Sequence, residues 1–286
     1  MERLTKVLIK PLLAMFLVCS NLAFSGEFPA DIQKILDKKH IIIAMYEQDQ
    51  PPFFRTDENG TLEGFDVELG LGIANALGVE AVFMRTPKTF NGTVDLVVNK
   101  EADIVISKLS KTLARSKKVF FTQPYVVLRK GLLINRLKLA KQKKGRSTIE
   151  VIKSLTGGIG VIEGSSYVGY SKQMFPKAKI VEFLRWEDVT KAVVEGEIVA
   201  GFRDELEIKR FLKTATDQAI KLESMVFKDT KDMIAIAVSS EAPHLLYWLN
   251  QYLESLELHM TADKLLARYS HMLQNNKLVE AEKRSE

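Results

Sequence analysis

The sequence predicts an α/β fold built as two lobes, each a largely parallel sheet covered by helices. Three observations predict it. Apolar runs of strand length alternate with helix-period patterns along the chain, the signature of βαβ units. The alternation restarts after a basic stretch that runs from Arg136 to Arg146. Two segments flanking that break line up with each other: residues 96–105 and 192–201 both read as a helix end, a short turn and a buried strand.

The elements follow in order. Residues 41–45 read as a buried strand. Phe65, Leu69, Ile73 and Leu77 recur at four-residue spacing, which predicts a helix over 66–77 with Gly78 as its stop. Residues 81–84 form a strand, 94–100 a helix and 104–106 a strand. The second series has a strand at 160–162, a helix from Tyr167, a strand at 179–181, a helix at 189–195 and a strand at 198–202. A strand over 233–238 and a long helical region over 243–269 close the fold, and the polar tail after 273 frays. The lobes are assigned as 26–127 with 233–273, and 128–232, joined by crossovers near 127–129 and 230–232.

Length and composition set the class. The 286 residues suffice for two domains, and 46% hydrophobic with 27% charged residues marks a globular chain. Residues 1–25 read as a cleaved secretory signal: Arg3, Lys6 and Lys10 come first, an apolar run at 12–18 follows, and small residues Ala23 and Ser25 precede Gly26. That run is shorter than the ~20 residues of a membrane span. Net charge is +5 over the chain and +3 without the signal, too dispersed for a nucleic-acid face. Cys19 is the only cysteine and lies in the signal, and Val18 before it does not suit a lipoprotein site. A free, exported, monomeric protein of a Gram-negative periplasm is expected, with no disulfide and no cofactor. His40, His244, His259 and His271 are scattered without metal-ligand spacing, residues 157–160 lack the Lys-Ser/Thr ending of a phosphate loop, and 164–166 lack the frame of a hydrolase elbow.

Ligands in open α/β sheets bind outside the carboxyl ends of the strands. Ser107-Lys108 and Arg203-Asp204 lie just past the two matched strands and are candidates on that ground. Downstream of the first lies Ser110-Lys111-Thr112-Leu113-Ala114-Arg115. An Arg presents a planar fork of donors that fits a carboxylate in bidentate fashion. The other reading leaves Arg115 on the surface and the hydroxyls as helix caps. A buried zwitterion needs a partner at each pole, and Asp204 on a facing lobe supplies the second.

Taken together, Pro51-Pro52-Phe53, the helix from Gly64 to Leu77, Ser-x-Thr-x-x-Arg at 110–115, Phe-Thr-x-Pro-Tyr at 121–125, Gly164-Ser165-Ser166 and the strand to Asp204 resemble the bacterial extracellular solute-binding proteins of family 3. The resemblance runs from about Ile41 to about Tyr269. It implies the type II periplasmic binding protein fold and a receptor that hands an amino acid to an inner-membrane ABC permease, not an enzyme. It also implies site roles: Arg115 for the α-carboxylate, with Ser110 and the backbone near Lys108 assisting; Ser165 and Ser166 as donors on closure; Asp204 for the α-ammonium; and Glu47, Gln50 and Phe90 for side-chain selection. Phe53 packs in its turn or touches ligand. Gln50, Lys108 and Arg203 depart from the family pattern. Glu47 suits a cationic side chain, whereas Lys108 and Arg203 suit an acidic one, or one of them neutralises Glu47. Two other readings remain: an exported dehydratase of cyclohexadienyl acids on this scaffold, with Glu47 or Glu163 as the reacting carboxylate, and a sensory or accessory binding module.

Overall fold

The structure, a computed structural model, describes residues 28–272 except His259. The signal segment with Cys19 and the tail 274–286 lie outside the described residues.

The first series contains α1 (Ala30–Lys38), β1 (His40–Ala44), the ribbon β2 (Arg55–Thr56) and β3 (Leu62–Glu63), α2 (Phe65–Leu77), β4 (Glu80–Met84), α3 (Phe90–Val98), β5 (Ile104–Val105), β6 (Val119–Phe121) and β7 (Val126–Leu128). The second contains β8 (Lys130–Asn135), α4 (Arg136–Lys143), α5 (Thr148–Lys153), β9 (Gly158–Ile162), α6 (Ser166–Met174), β10 (Lys179–Phe183), α7 (Trp186–Glu195), β11 (Ala200–Asp204), α8 (Glu205–Thr214) and β12 (Leu222–Val226). The chain then returns through β13 (Asp232–Ile234), β14 (Ala237–Ser239), α9 (Pro243–Ser255) and α10 (Ala262–Arg268).

Two five-stranded sheets result, ordered β4-β1-β5-β14-β6 and β10-β9-β11-β8-β12. They share one plan. Three parallel strands are followed by one reversed strand (β14 or β8) and an edge strand (β6 or β12) that runs with the first three, and the matched strands β5 and β11 both sit at the centre. The sheets are thus largely parallel, as expected, with four strands in one direction and one reversed in each. Between them β7 and β13 pair antiparallel, Asp232 opposite Leu128.

Helix α2 shows how the sequence sets the site's frame. Its predicted stripe of Phe65, Leu69, Ile73 and Leu77 is buried. Its first amides are capped by backbone: Phe65 N–H donates to Pro52 O at 3.1 Å and Asp66 N–H to Phe53 O at 2.8 Å. The Pro-Pro-Phe turn therefore closes the helix end, satisfying donors the helix leaves unpaired. Gly64 makes the approach feasible. It has φ +127°, and a Cβ there would meet Phe53 O at 2.4 Å.

Several predicted boundaries move for local reasons. Helix α3 begins at Phe90, not 94, because the Thr89 side chain accepts from Gly92 N–H as an N-cap, and it ends before Lys100, whose φ is +65°. The strand expected over 233–238 divides into β13 and β14, which pair in different sheets. The helical region 243–269 breaks after α9 at Glu257, with φ +45°, and restarts where Thr261 caps α10. Strand β11 runs to Asp204, so Arg203 and Asp204 end the strand rather than follow it. In the basic stretch, α4 buries only Leu139 and is otherwise a solvated helix. Among the described residues, no helix is long and apolar enough to cross a membrane.

Candidate functional site

The chain leaves β5 at Ser107 and turns at Lys108 with φ +46°, a conformation uncommon for a residue with a side chain. Buried Asp66 holds the turn. One carboxylate oxygen accepts from Lys108 N–H at 2.6 Å and the other from Tyr125 O–H at 2.9 Å. Burial pushes the Asp66 carboxyl up to about 7, against the pull of these bonds. The Phe-Thr-x-Pro-Tyr segment thus serves the site indirectly, through the Tyr125 hydroxyl.

From that turn the Lys108 side chain passes the Phe53 ring, 5.2 Å from its centroid, and crosses to the second lobe. Its Nζ lies 3.0 Å from Asp204 Oδ2 and 2.7 Å from Glu207 Oε1. Asp204 is at once the end of β11 and the N-cap of α8, its Oδ1 accepting from Glu207 N–H at 3.1 Å. Burial pushes the Glu207 carboxyl up, but Arg210, Lys108 and Arg203 outweigh it and hold the group below the usual carboxylate range.

Arg115 approaches from the other side. Its Nε donates to Asn91 Oδ1 at 3.1 Å, Nη1 to Ser110 O at 2.9 Å and Nη2 to Gly164 O at 3.3 Å, the last across the lobes. Burial pushes its pKa down to about 10, opposed by the Asp232 carboxylate, so the guanidinium stays charged at neutral pH. Gly164 has φ +64°, and a Cβ there would lie 2.8 Å from Thr89 Cβ, so the lobes approach closely at this turn. Beside it Ser166 Oγ donates to Ser110 Oγ at 2.9 Å, again between lobes.

Eight of the ten predicted site residues line one cleft: Phe90, Lys108, Ser110 and Arg115 from the first series, and Ser165, Ser166, Arg203 and Asp204 from the second. Its free space, counting the open mouth, is about 390 Å³. Gln50 is not in the lining, but it is buried and its Oε1 accepts from Arg203 Nη2 at 2.5 Å. Glu47 departs from expectation. It is exposed and does not line the cleft. Arg85 draws the Glu47 carbonyl toward itself, Nη2 to O at 2.5 Å, and so fixes the backbone without aiming the carboxylate inward. Glu163 is likewise exposed and outside the lining. Phe53 is fully buried beneath Lys108 and also outside it, the packing reading of that residue.

Two polar lining residues escaped sequence reasoning, beside the apolar Ile162, Phe202 and Ile234. Asp232 is buried where the chain re-enters the first lobe, and Tyr167 donates its hydroxyl to Asp232 Oδ2 at 2.8 Å. Burial raises the Asp232 pKa and the nearby Asp204 raises it further, while the Ser110 and Tyr167 hydroxyls and Lys130 oppose that shift. The segment after Asp232 is held against the Arg115 loop by Lys111 N–H to Met233 O at 2.7 Å and Ala235 N–H to Leu109 O at 3.1 Å. The available signal was an acidic residue at the start of a strongly apolar strand, in the second crossover. Among the described residues, no cluster of three or more His, Cys, Asp or Glu is placed to hold a metal ion.

Comparison with known proteins gives a consistent picture. The model of the bacterial extracellular solute-binding proteins, family 3, matches residues 41–272. The chain is 25% identical to the ABC transporter arginine-binding protein 1 of Escherichia coli (strain K12), covering 75% of this chain and 84% of that protein. It is 24% identical to the histidine-binding periplasmic protein of the same organism, over 76% and 83%. Among solved structures, an ancestral amino acid-binding protein described as a precursor of cyclohexadienyl dehydratase superposes with a TM-score of 0.67 at 27% identity, over 83% of this chain and 98% of that one. A mutant of the arginine-binding protein of T. maritima gives 0.66 at 26%, over 84% and 99%. With its two-lobed architecture and a family match spanning most of its length, the chain belongs to the bacterial extracellular solute-binding proteins, family 3.

Proposed function

We propose that this chain is a periplasmic receptor that captures an amino acid between its lobes and delivers it to an ABC import permease. One observation carries the reading: Arg115 and Asp204, from opposite lobes, line the same cleft. A guanidinium and a carboxylate so arranged match the two poles of an α-amino acid, Arg115 receiving the carboxylate and Asp204 the ammonium. Ser110, Ser165 and Ser166 supply further donors, and Phe90 an apolar wall. A ligand that touches both lobes favours the closed form by its differential affinity for it, with the hinge at the paired segments around 127–129 and 230–232. Two relatives, by name an ABC transporter arginine-binding protein and a histidine-binding periplasmic protein, support the ligand class, and the first supports the destination. The exposure of Glu47 and Glu163 supports binding over dehydration, because neither carboxylate reaches the cleft lining.

The test is calorimetric titration of the exported chain with the twenty amino acids. Saturable binding by at least one, lost on Arg115→Glu with the circular dichroism spectrum unchanged, is expected. Absence of binding at millimolar concentration by every one of them refutes the proposal.

A further inference from the structure

The cleft carries more positive charge than an ordinary zwitterion needs. Its lining holds three cations, Lys108, Arg115 and Arg203, against two carboxylates, Asp204 and Asp232. Glu207 behind Asp204 is matched by its own neighbour, Arg210 Nη2 at 2.8 Å. A neutral zwitterion leaves the excess unchanged. A cationic side chain adds to it in a site of low dielectric, where unmatched charge is costly. An added carboxylate cancels it.

The unpartnered atoms point the same way. Arg203 is 5% exposed. Its Nη2 is spent on Gln50 and its Nε sits 3.7 Å from Asp204 Oδ2, but its Nη1 is buried without a hydrogen-bond partner among the described residues. The Trp186 ring, 5.3 Å from the Arg203 Cζ, steadies the guanidinium without providing a lone pair for that donor. On the acceptor side, Asp232 is 1% exposed, and its Oδ1 is buried without a hydrogen-bond partner among the described residues. A lining donor that lacks an acceptor and a lining acceptor that lacks a donor are groups that natural structures rarely leave unpaired.

Building on the amino acid receptor reading above, we infer that the ligand is an acidic amino acid, its side-chain carboxylate taken by Arg203 Nη1 and its ammonium shared between Asp204 and Asp232 Oδ1. Three poles then meet three sets of partners. Arg115 holds the α-carboxylate, the two aspartates hold the α-ammonium, and Arg203, braced by Gln50 and Trp186, reads the side chain. Lys108 keeps Asp204 and Glu207 from repelling the incoming carboxylates. The same arrangement rejects lysine and arginine, which bring a fourth cation to a wall that already holds three.

The experiment is isothermal titration of the exported chain, dialysed free of carried ligand, with L-glutamate, L-aspartate, L-glutamine, L-arginine, L-lysine and L-histidine, and of the variant Arg203→Met with the same set. The expected result is binding of L-glutamate or L-aspartate at least 100-fold tighter than L-glutamine and the three basic amino acids. In Arg203→Met that preference over L-glutamine falls to within about threefold. The ranking in the unmodified chain decides the matter even if the variant does not fold. Tighter binding of arginine, lysine or histidine, or equal binding of glutamine and glutamate, overturns the inference and leaves the amino acid receptor standing. Failure of every amino acid to bind overturns both.

Discussion

Lys108 and Asp204 come from opposite lobes, and their charged ends lie 3.0 Å apart with both side chains 3% exposed. With Glu207 beside them at 2.7 Å, this is a buried tether across the cleft. A buried pair adds little net stability over an apolar substitute, but removing one partner leaves a desolvated charge behind.

Lys108→Met is therefore expected to destabilise the closed arrangement by about 3 kcal/mol, near the lower end for a broken buried pair because Arg210 still faces Glu207. Small-angle scattering checks this through a larger radius of gyration than the parent's. An unchanged radius, together with an unchanged urea midpoint, contradicts a tethering role.

Arg115→Ala removes the α-carboxylate partner and three donated bonds. Binding is expected to weaken at least 100-fold, about 2.7 kcal/mol. The folding cost stays near 2 kcal/mol, since the bonds lost are charge-assisted but go to groups at the edge of the cleft. Calorimetry and urea denaturation separate the two effects.

Asp66 predicts a pH dependence. Its folded pKa is about 7 against an ordinary 3.8, so the folded form holds the proton more tightly than the unfolded chain. The contribution is fully present below pH 3.8, declines as pH rises toward 7, and is flat above that. At about 1.4 kcal/mol per unit, the rise from 3.8 to about 7 makes the full decline on the order of 4–5 kcal/mol. Asp66→Asn, which retains one acceptor for Lys108 N–H, is expected to reduce the slope of unfolding free energy between pH 4 and 7. The same slope in parent and variant would exclude Asp66 as its source.

Gly64→Ala is expected to cost about 2–4 kcal/mol, because the methyl meets Phe53 O at 2.4 Å in a backbone conformation that L residues rarely adopt. Thermal unfolding measures it. Since the displaced turn leads to Gln50, a parallel loss of ligand affinity is also expected.

Much of the fold was legible because its signals are local. The α2 stripe, its Gly78 stop and the alternation of strands with helices are short-range patterns, and the repeated plan of the two sheets left a trace in the match of 96–105 with 192–201. What misled were boundaries set by caps and positive-φ residues, such as Thr89, Lys100 and Glu257, whose effect on a helix end outweighs periodicity.

The sequence by itself determined the alternating α/β pattern, the apolar stripe of α2 with its Gly78 stop, and the candidacy of Arg115 and Asp204, because each depends on neighbours within a few residues or on a strand's end. Only the tertiary structure decided that Glu47 lies outside the cleft lining, that Lys108 spans to Asp204 and Glu207, and that Asp232 stands beside Ser110 and Tyr167. Those three outcomes rest on contacts between segments roughly 40 to 120 residues apart, and electrostatic pairing at that separation is fixed by how the lobes meet, which no local pattern encodes.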